Sequence, residues 1–340
     1  VPYGGFANES KESLFQKISK FLRGNFLLPD PRKGWNKYAL KKAGDLIRNF
    51  QIDTVITTSP PHSTQLIGLE LKKRFPIRWI ADLRDPWTDI YYYDQFKHTA
   101  LARKIDRNYE RKVVENADLL ISVSEDVKRI FAEKSLQPIA AKTIVIPNGF
   151  DSEDFQVEPV VDETKKVITY TGTISEAYDV DSLLAALHQM SDTWKEKLLI
   201  RFVGKVPEMV VSKFKETGFD VEQVGYVDHK KSVEYLLRSD LLLLVIPRVS
   251  NNKGILTGKF FEYLASGKPV LAIGPTDGDL AQIIAETRCG KIFDYADSAG
   301  MKQFIVHELE QTVTNDISEK VTQFSRRELT RKLGDCLKSL

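Results

Sequence analysis

Gly254-Ile-Leu-Thr-Gly-Lys-Phe-Phe-Glu-Tyr-Leu-Ala-Ser-Gly-Lys-Pro-Val-Leu-Ala-Ile-Gly274 reads as loop, helix, turn and strand. Gly254 and Gly258 bracket a flexible loop. Thr257 stands at the N-cap, where its hydroxyl can accept from an early helical N–H. Phe261, Leu264 and Ala265 fall at i, i+3 and i+4, which predicts one buried face. Gly267 followed by Lys268-Pro269 stops the helix, because glycine accepts the left-handed C′ position and proline cannot continue. Val270–Ile273 is then a short buried strand.

That geometry puts Lys259 and Glu262 three residues apart on the open face. Lys259 lies in the first turn. A phosphate there would meet free backbone N–H groups, the positive end of the helix dipole and an ammonium together. Glu262, one turn deeper, can accept from two hydroxyls, as a ribose offers. The same spacing also describes a solvated Lys–Glu pair worth about 0.3 kcal/mol. On spacing alone both readings stand.

Glu262-Tyr-Leu-Ala-Ser-Gly-Lys-Pro-Val270 resembles the nucleotide-sugar motif of GT-B retaining glycosyltransferases of the GT4 type, the group 1 family. There a glutamate ahead of Ala-x-Gly-x-Pro-Val holds the donor ribose. The usual partner glutamate eight positions earlier is Gly254 here. Some bacterial members carry a lysine three residues before the retained glutamate, and Lys259 fits that variant. The resemblance implies a nucleotide-diphosphate sugar as donor and retention of anomeric configuration.

The composition is that of a globular protein, with 42% apolar and 28% charged residues in 340. That length suits two domains. Two cysteines, Cys289 and Cys336, make neither a disulfide framework nor a metal pattern, so a reducing, cytoplasmic compartment is expected. The longest apolar run, Leu241–Ile246, is too short to span a bilayer. Residues 1–147 carry 25 Lys and Arg against 17 Asp and Glu, a net of +8, and the remainder carries 24 against 30, a net of −6. A basic first half calls for an anionic partner, such as a membrane surface or a lipid phosphate. No nucleic acid is expected, since no reader motif appears.

Residue 1 is valine and no first strand is recognisable, so a front end is expected to be missing. Lys11–Arg48 is basic and mostly helical, with Leu14, Ile18, Phe21 and Leu22 at helical spacing, a break at Pro29-Asp-Pro31, then Ala39, Leu46 and Ile47. We read Leu14–Leu22 as an amphipathic helix covering a sheet. Phe26, Leu27 and Trp35 suit either such packing or a membrane-contacting face. Strands are predicted at Asp53–Thr58, Arg78–Ala81, Leu119–Val123 and Thr143–Ile146, alternating with helices through Lys73 and over 100–116. That alternation argues for a parallel, doubly wound sheet, whose ligands sit beyond the carboxyl ends of the strands. His62, Asp82, Arg84, Asp85 and Ser124 fall on that edge. Asp82-Leu-Arg-Asp-Pro-Trp87 sets three charges in four positions, which need partners or a ligand. An Asp–Arg pair fixing the loop explains them equally well. In the resemblance the stretch occupies the place of a family His-Asp, with Arg84 for the histidine and Asp85 for the aspartate. His62 is a further acceptor-side candidate, and a single histidine is also commonly structural.

Ile146-Pro-Asn-Gly-Phe-Asp151 opens a linker to Lys166. The second half begins with a strand at Val167–Tyr170 and the turn Thr171-Gly172-Thr173, where glycine lets the backbone approach a phosphate. By the resemblance two cations should follow, but Thr173 and Tyr178 stand in their places. Arg248, Lys253 and Lys259 would compensate. Asp179-Val-Asp181 has the look of a metal motif but is read as capping ahead of the helix Ser182–Met190, so no metal and no cofactor are expected. Further elements are a strand at Leu198–Val203 turning at Gly204, a strand starting at Val224 and running to Val227, a helix over Ser232–Ser239 and a strand over Asp240–Ile246. A helix over Asp279–Arg288 capped by Gly290, a strand at Lys291–Phe293 and a final helix Lys320–Leu340 complete the chain. In the family, backbone near Tyr226 and Val227 contacts the base.

The expected architecture is α/β, with two Rossmann-like domains (GT-B) facing a central cleft and a C-terminal helix crossing back to the first. The divisions are 1–147 for the acceptor side, 148–166 for the linker, 167–318 for the nucleotide-sugar domain and 319–340 for the crossover helix. The expected activity is glycosyl transfer to a saccharide or lipid-linked acceptor in bacterial surface polysaccharide assembly, peripheral on the inner face of the membrane. Lys259 would stabilise the leaving phosphate, aided by Thr257 and Gly258, while Asp85, Arg84 or His62 positions the acceptor. An epimerase of the same fold and a non-catalytic nucleotide-sugar-binding module are the competing readings.

Overall fold

The computed structural model describes residues 14–156, 164–174, 178–311 and 319–340. The start of the basic stretch at Lys11, the middle of the expected linker and the expected boundary at 318 lie outside them. Of the described residues, 14–147 together with Leu333–Leu340 form one compact unit, and Asn148–Lys332 forms the other.

The first unit holds a four-stranded parallel sheet in the order β1 (Thr54–Ser59), β2 (Arg78–Leu83), β3 (Leu119–Ser122), β4 (Thr143–Val145). Trp79, Ala81 and Leu83 point to one face and pack with Leu69, Val113, Val114 and Phe131. Pro29-Asp30-Pro31 does more than break a helix. Asp30 caps the helix Ser63–Arg74, accepting from the Ser63 N–H at 2.7 Å and from its hydroxyl at 2.8 Å.

The helix Leu14–Phe26 corrects our expectation. Ile18, Phe21 and Leu22 do not cover a sheet; they are exposed, and Phe26 is 74% exposed. The helix seats its small face instead. A Cβ at Gly24 would press on Phe96, and Asn25 accepts from the Thr99 N–H at 2.6 Å.

The second unit holds six parallel strands in the order β10-β9-β8-β5-β6-β7. They are β5 (Lys166–Thr171), β6 (Leu198–Val203), β7 (Asp220–Gly225), β8 (Leu241–Val245), β9 (Val270–Ile273) and β10 (Gly290–Phe293). Every residue of β8 is buried, because helices cover both faces. Tyr170, Phe202, Leu243 and Ile273 pack on one side, and Leu242, Leu244, Val270 and Ala272 on the other.

Three boundaries differ from expectation. β7 ends at Gly225, whose φ of +80° turns the chain, so Tyr226 and Val227 lie beyond the strand. Arg288, with φ +56°, caps the helix Asp279–Thr287, while Gly290 opens β10 because a Cβ there would collide with the Val270 backbone. The final helix is two pieces, Glu319–Thr322 and Arg326–Ser339. The break arises where Phe324 and Arg326 exchange backbone hydrogen bonds with Phe150 at 3.2 and 2.8 Å.

Candidate active site

In the second unit, the carboxyl ends of β5 and β6 turn within touching distance of each other. The Gly172 N–H donates to the Val203 carbonyl at 2.7 Å, and the Ile174 N–H to the Lys205 carbonyl at 3.0 Å. Gly172 and Gly204 have φ of +103° and +128°. A Cβ on Gly204 would run into the Gly172 carbonyl, so both turns require glycine.

The helix Gly258–Ser266 touches these turns through Lys259 and Tyr263. It is buried around most of its circumference: Phe261, Leu264 and Ala265 as expected, and Phe260 and Tyr263 as well. Tyr263 fixes its depth. Its hydroxyl accepts from the Thr171 N–H at 3.0 Å and donates to the Leu243 carbonyl at 3.2 Å. Gly267 ends the helix at φ +67°. Thr257 holds the N-cap position, but its hydroxyl makes no cap bond and is buried without a partner.

Lys259 and Glu262 are not a solvated pair, nor do they share an open face. The Lys259 ammonium runs inward beneath Gly172. It donates to the Tyr170 hydroxyl at 2.6 Å and lies 4.2 Å from that ring's centroid. No carboxylate forms an ion pair with it among the described residues, and burial pulls it down to about 7. Glu262 turns toward His229, whose Nδ1 is 3.8 Å from its carboxylate, and burial pushes its carboxyl up.

The other predicted cations have partners. Arg248 pairs with Asp179 at 3.2 Å and lies 5.4 Å over the Tyr295 ring, and Lys253 pairs with Asp277. Asp179 also accepts from the Asp181 N–H at 3.2 Å. Asn252 and Tyr295 brace the Arg248–Gly258 loop, with Asn252 donating to Tyr295 at 3.1 Å and Tyr295 to the Ile246 carbonyl at 2.9 Å. Tyr226 is 85% exposed.

Together the structure brings Gly172, Thr173, Gly204, Thr257, Gly258 and Lys259 to one end of this sheet. Two positive-φ glycine turns and an ammonium with no ion-pairing carboxylate among the described residues meet there. Residues 165–311 match the family model of the group 1 glycosyl transferases, and residues 6–154 that of Glycosyltransferase Family 4. The chain belongs to the GT4-type, group 1 glycosyltransferases.

Solved structures share the fold. Sucrose-phosphate synthase of Thermosynechococcus elongatus aligns over 91% of this chain and 78% of its own, at 17% identity and a TM-score of 0.64. Anabaena Alr3699/HepE in complex with UDP aligns over 88% and 82%, at 15% identity and a TM-score of 0.66. WaaG, a glycosyltransferase involved in lipopolysaccharide biosynthesis, aligns over 83% and 85%, at 16% identity and a TM-score of 0.54. By sequence, no curated protein matches the chain.

In the first unit of this glycosyltransferase, Asp82 and Arg84 form the loop-fixing pair. They are 3.3 Å apart, Thr58 donates to Asp82 at 2.7 Å, and Arg84 donates to the Ile146 carbonyl at 3.1 Å. Asp85 makes no hydrogen bond or ion pair among the described residues, and burial pushes its carboxyl up. His62 stacks on Trp87 with ring centroids 4.5 Å apart, and its buried Nδ1 has no partner. Burial lowers it to about 4, so the imidazole is neutral at pH 7.

The sequence reading missed what lies beneath this loop. Asp106 and Glu110, four residues apart on a charged helix, both face inward. Asp106 accepts from the Trp87 indole at 3.0 Å and from Tyr93 at 2.9 Å. Glu110 accepts from Thr88 at 2.6 Å and pairs with Lys134 at 2.8 Å. They hold Trp87 at φ +39°, a left-handed conformation costing about 1–2 kcal/mol in a residue with a side chain. Trp87 and Thr88 beside the inward i, i+4 carboxylates were the available signal.

Proposed function

We propose that the chain transfers a sugar, with retained configuration, from a nucleotide diphosphate to a saccharide or lipid-linked acceptor in surface polysaccharide assembly. The observation that carries this reading is the buried Lys259 ammonium without a counter-ion, under the Gly172 turn and at a helix N-terminus. An anion is what that site lacks. The donor diphosphate would supply it, with Glu262 accepting from the ribose hydroxyls and Tyr226 and Val227 beside the base. The UDP bound by the Anabaena neighbour supports a uridine donor as the first to try.

In the reaction the bond from the anomeric carbon to the phosphate oxygen breaks, and the bond to the acceptor oxygen forms on the same face. The acceptor's proton passes to the leaving phosphate. Negative charge grows on that phosphate, where Lys259 and the helix N–H groups stabilise it, so neither a metal nor a strong base is needed. Neutral His62 and unpaired Asp85 would orient the acceptor hydroxyl. Arg248 and Lys253, already paired with Asp179 and Asp277, would have to exchange partners to reach the diphosphate.

Calorimetric titration with UDP, GDP and ADP tests this, repeated on Lys259→Ala and Glu262→Ala. One nucleotide bound by the parent and lost in both variants supports the reading. No binding of any of the three overturns it.

A lipid-linked acceptor implies a membrane surface as partner. No helix among the described residues is long and apolar enough to cross a membrane. Contact would instead run through the exposed Ile18, Phe21, Leu22 and Phe26 stripe, on a helix with Lys17, Lys20 and Arg23 and no acidic residue. Vesicles containing phosphatidylglycerol should bind the protein at low salt and release it at high salt. Equal indifference to charged and neutral vesicles would remove the membrane from the account.

A further inference from the structure

We infer that Tyr170 is a positioning residue that holds Lys259 in its cationic form without neutralising it, keeping the seat open to an anion. The inference rests on reading Lys259 as the phosphate-binding cation. It adds a role for a residue that the sequence marks only as part of a strand.

Tyr170 lies near the end of β5 and is almost wholly buried, among Phe202 and the apolar residues of one sheet face. Its hydroxyl donates to the Thr173 carbonyl at 2.9 Å. That bond uses the phenol's one proton and turns its lone pairs outward. The Lys259 ammonium donates to them at 2.6 Å. The ring adds its negative face, with the ammonium 4.2 Å from the centroid. Gly172 closes over the top, where a Cβ would sit 3.0 Å from the ammonium nitrogen.

The identity of the holder matters. A carboxylate in its place would bind the ammonium more firmly, but an incoming phosphate would then have to displace it. Tyr170 cannot compete in that way. Burial keeps its phenol protonated far above the ordinary range, so it acts only as a dipole and a π-face. Tyr263, a neighbouring phenol that acts on it, is itself pushed up to about 12 by burial. Among the described residues the only carboxylate acting on Lys259 is Glu262, on its own helix, and it makes no ion pair with it. The opposing influence is burial, which pulls the lysine down to about 7. The phenol oxygen and the ring counter it.

The test reads Lys259 directly, without nucleotide. The protein carries lysine labelled at Cε and Nζ, and Lys259 is assigned by its loss in Lys259→Ala. In the parent, the Lys259 Cε protons should be shifted upfield by the ring beneath them; a random-coil position overturns the contact. Tyr170→Phe keeps the ring and removes the oxygen, so Lys259 should titrate at lower pH than in the parent. An unchanged titration overturns the inference whatever the nucleotides do. UDP titration then supplies the functional readout. Tyr170→Phe should weaken UDP about tenfold at pH 8 and much less at pH 6, where acid restores the proton. A loss equal at both pH values would mean that Tyr170 only packs. If the parent binds none of UDP, GDP and ADP but the Lys259 titration shifts as expected, the phosphate reading falls and the Tyr170 contact stands.

Discussion

The imidazole of His229 bridges two carboxylates, with Nε2 2.9 Å from Asp154 and Nδ1 3.8 Å from Glu262. The carboxylate proposed to hold the ribose is therefore oriented by a residue of the preceding helix, His229–Leu237, and through it by Asp154, in the chain just after Asn148.

That bridge makes ribose binding sensitive to acid. Burial raises the Glu262 pKa, and His229 is the largest influence opposing the rise. An ionised carboxylate accepts from hydroxyls at both oxygens and more strongly than a protonated one, so nucleotide affinity should fall as pH drops through that pKa. His229→Ala should raise the pKa further and move the fall to higher pH, while Glu262→Ala should cost about 1.5–3 kcal/mol of nucleotide binding at pH 8. UDP titrations between pH 5 and 8 measure both. A pH profile unaltered in His229→Ala would detach the histidine from the site.

Thr257 separates helix stability from ligand binding. Its hydroxyl caps nothing and is buried without a partner. Thr257→Val removes a desolvated polar group at nearly constant shape, so the melting temperature should hold or rise. If the hydroxyl engages phosphate, UDP affinity should fall by about three- to tenfold in the same variant. A drop in melting temperature with affinity intact would make Thr257 a structural residue.

His62 should make the first unit weaker in acid. Its pKa is lowered from 6.5 to about 4 by burial, so the unfolded chain binds the extra proton between those values. Stability from keeping this imidazole neutral is fully present above pH 6.5 and is lost as pH falls toward 4, by about 3 kcal/mol in all. His62→Phe preserves a ring against Trp87 and should flatten that slope. Urea unfolding at pH 5 and pH 7 provides the comparison, and equal slopes in parent and variant would contradict it.

Beneath Trp87, Lys134→Met should leave Glu110 buried without its cation and cost about 3–5 kcal/mol. Changing Glu110→Leu at the same time should recover part of that loss, since two apolar groups desolvate nothing. Denaturant midpoints of the single and double variants decide. A double variant weaker than the single one would mean that the pair stabilises through more than mutual neutralisation.

Much of this was legible where local pattern and burial coincide. Leu241–Val245 is apolar throughout because the strand is covered on both faces, and Gly267-Lys-Pro269 stops a helix by backbone chemistry alone. The exposed stripe of Leu14–Phe26 shows the limit. Helical spacing of apolar residues marks a face without saying what covers it, and here Gly24 and Asn25 make the packing contacts instead. The same limit applies at the site. Lys259 and Glu262 sit three apart, which suggests a pair, yet each is claimed by a residue distant in sequence, Tyr170 on β5 and His229 on the preceding helix. Asp30 capping Ser63 and Asp106 under Trp87 are likewise long-range pairings that no window of sequence contains.

The interlock of Gly172 and Gly204 leaves one wall of the site made of main chain. A surface without side chains cannot be recut by substitution, since any Cβ at Gly204 displaces the turn it faces. On the proposed reading, the phosphate end of the site is thus a fixed mould. On the same reading, the room for changing which donor is accepted lies at the outward rim, where Tyr226 is 85% exposed.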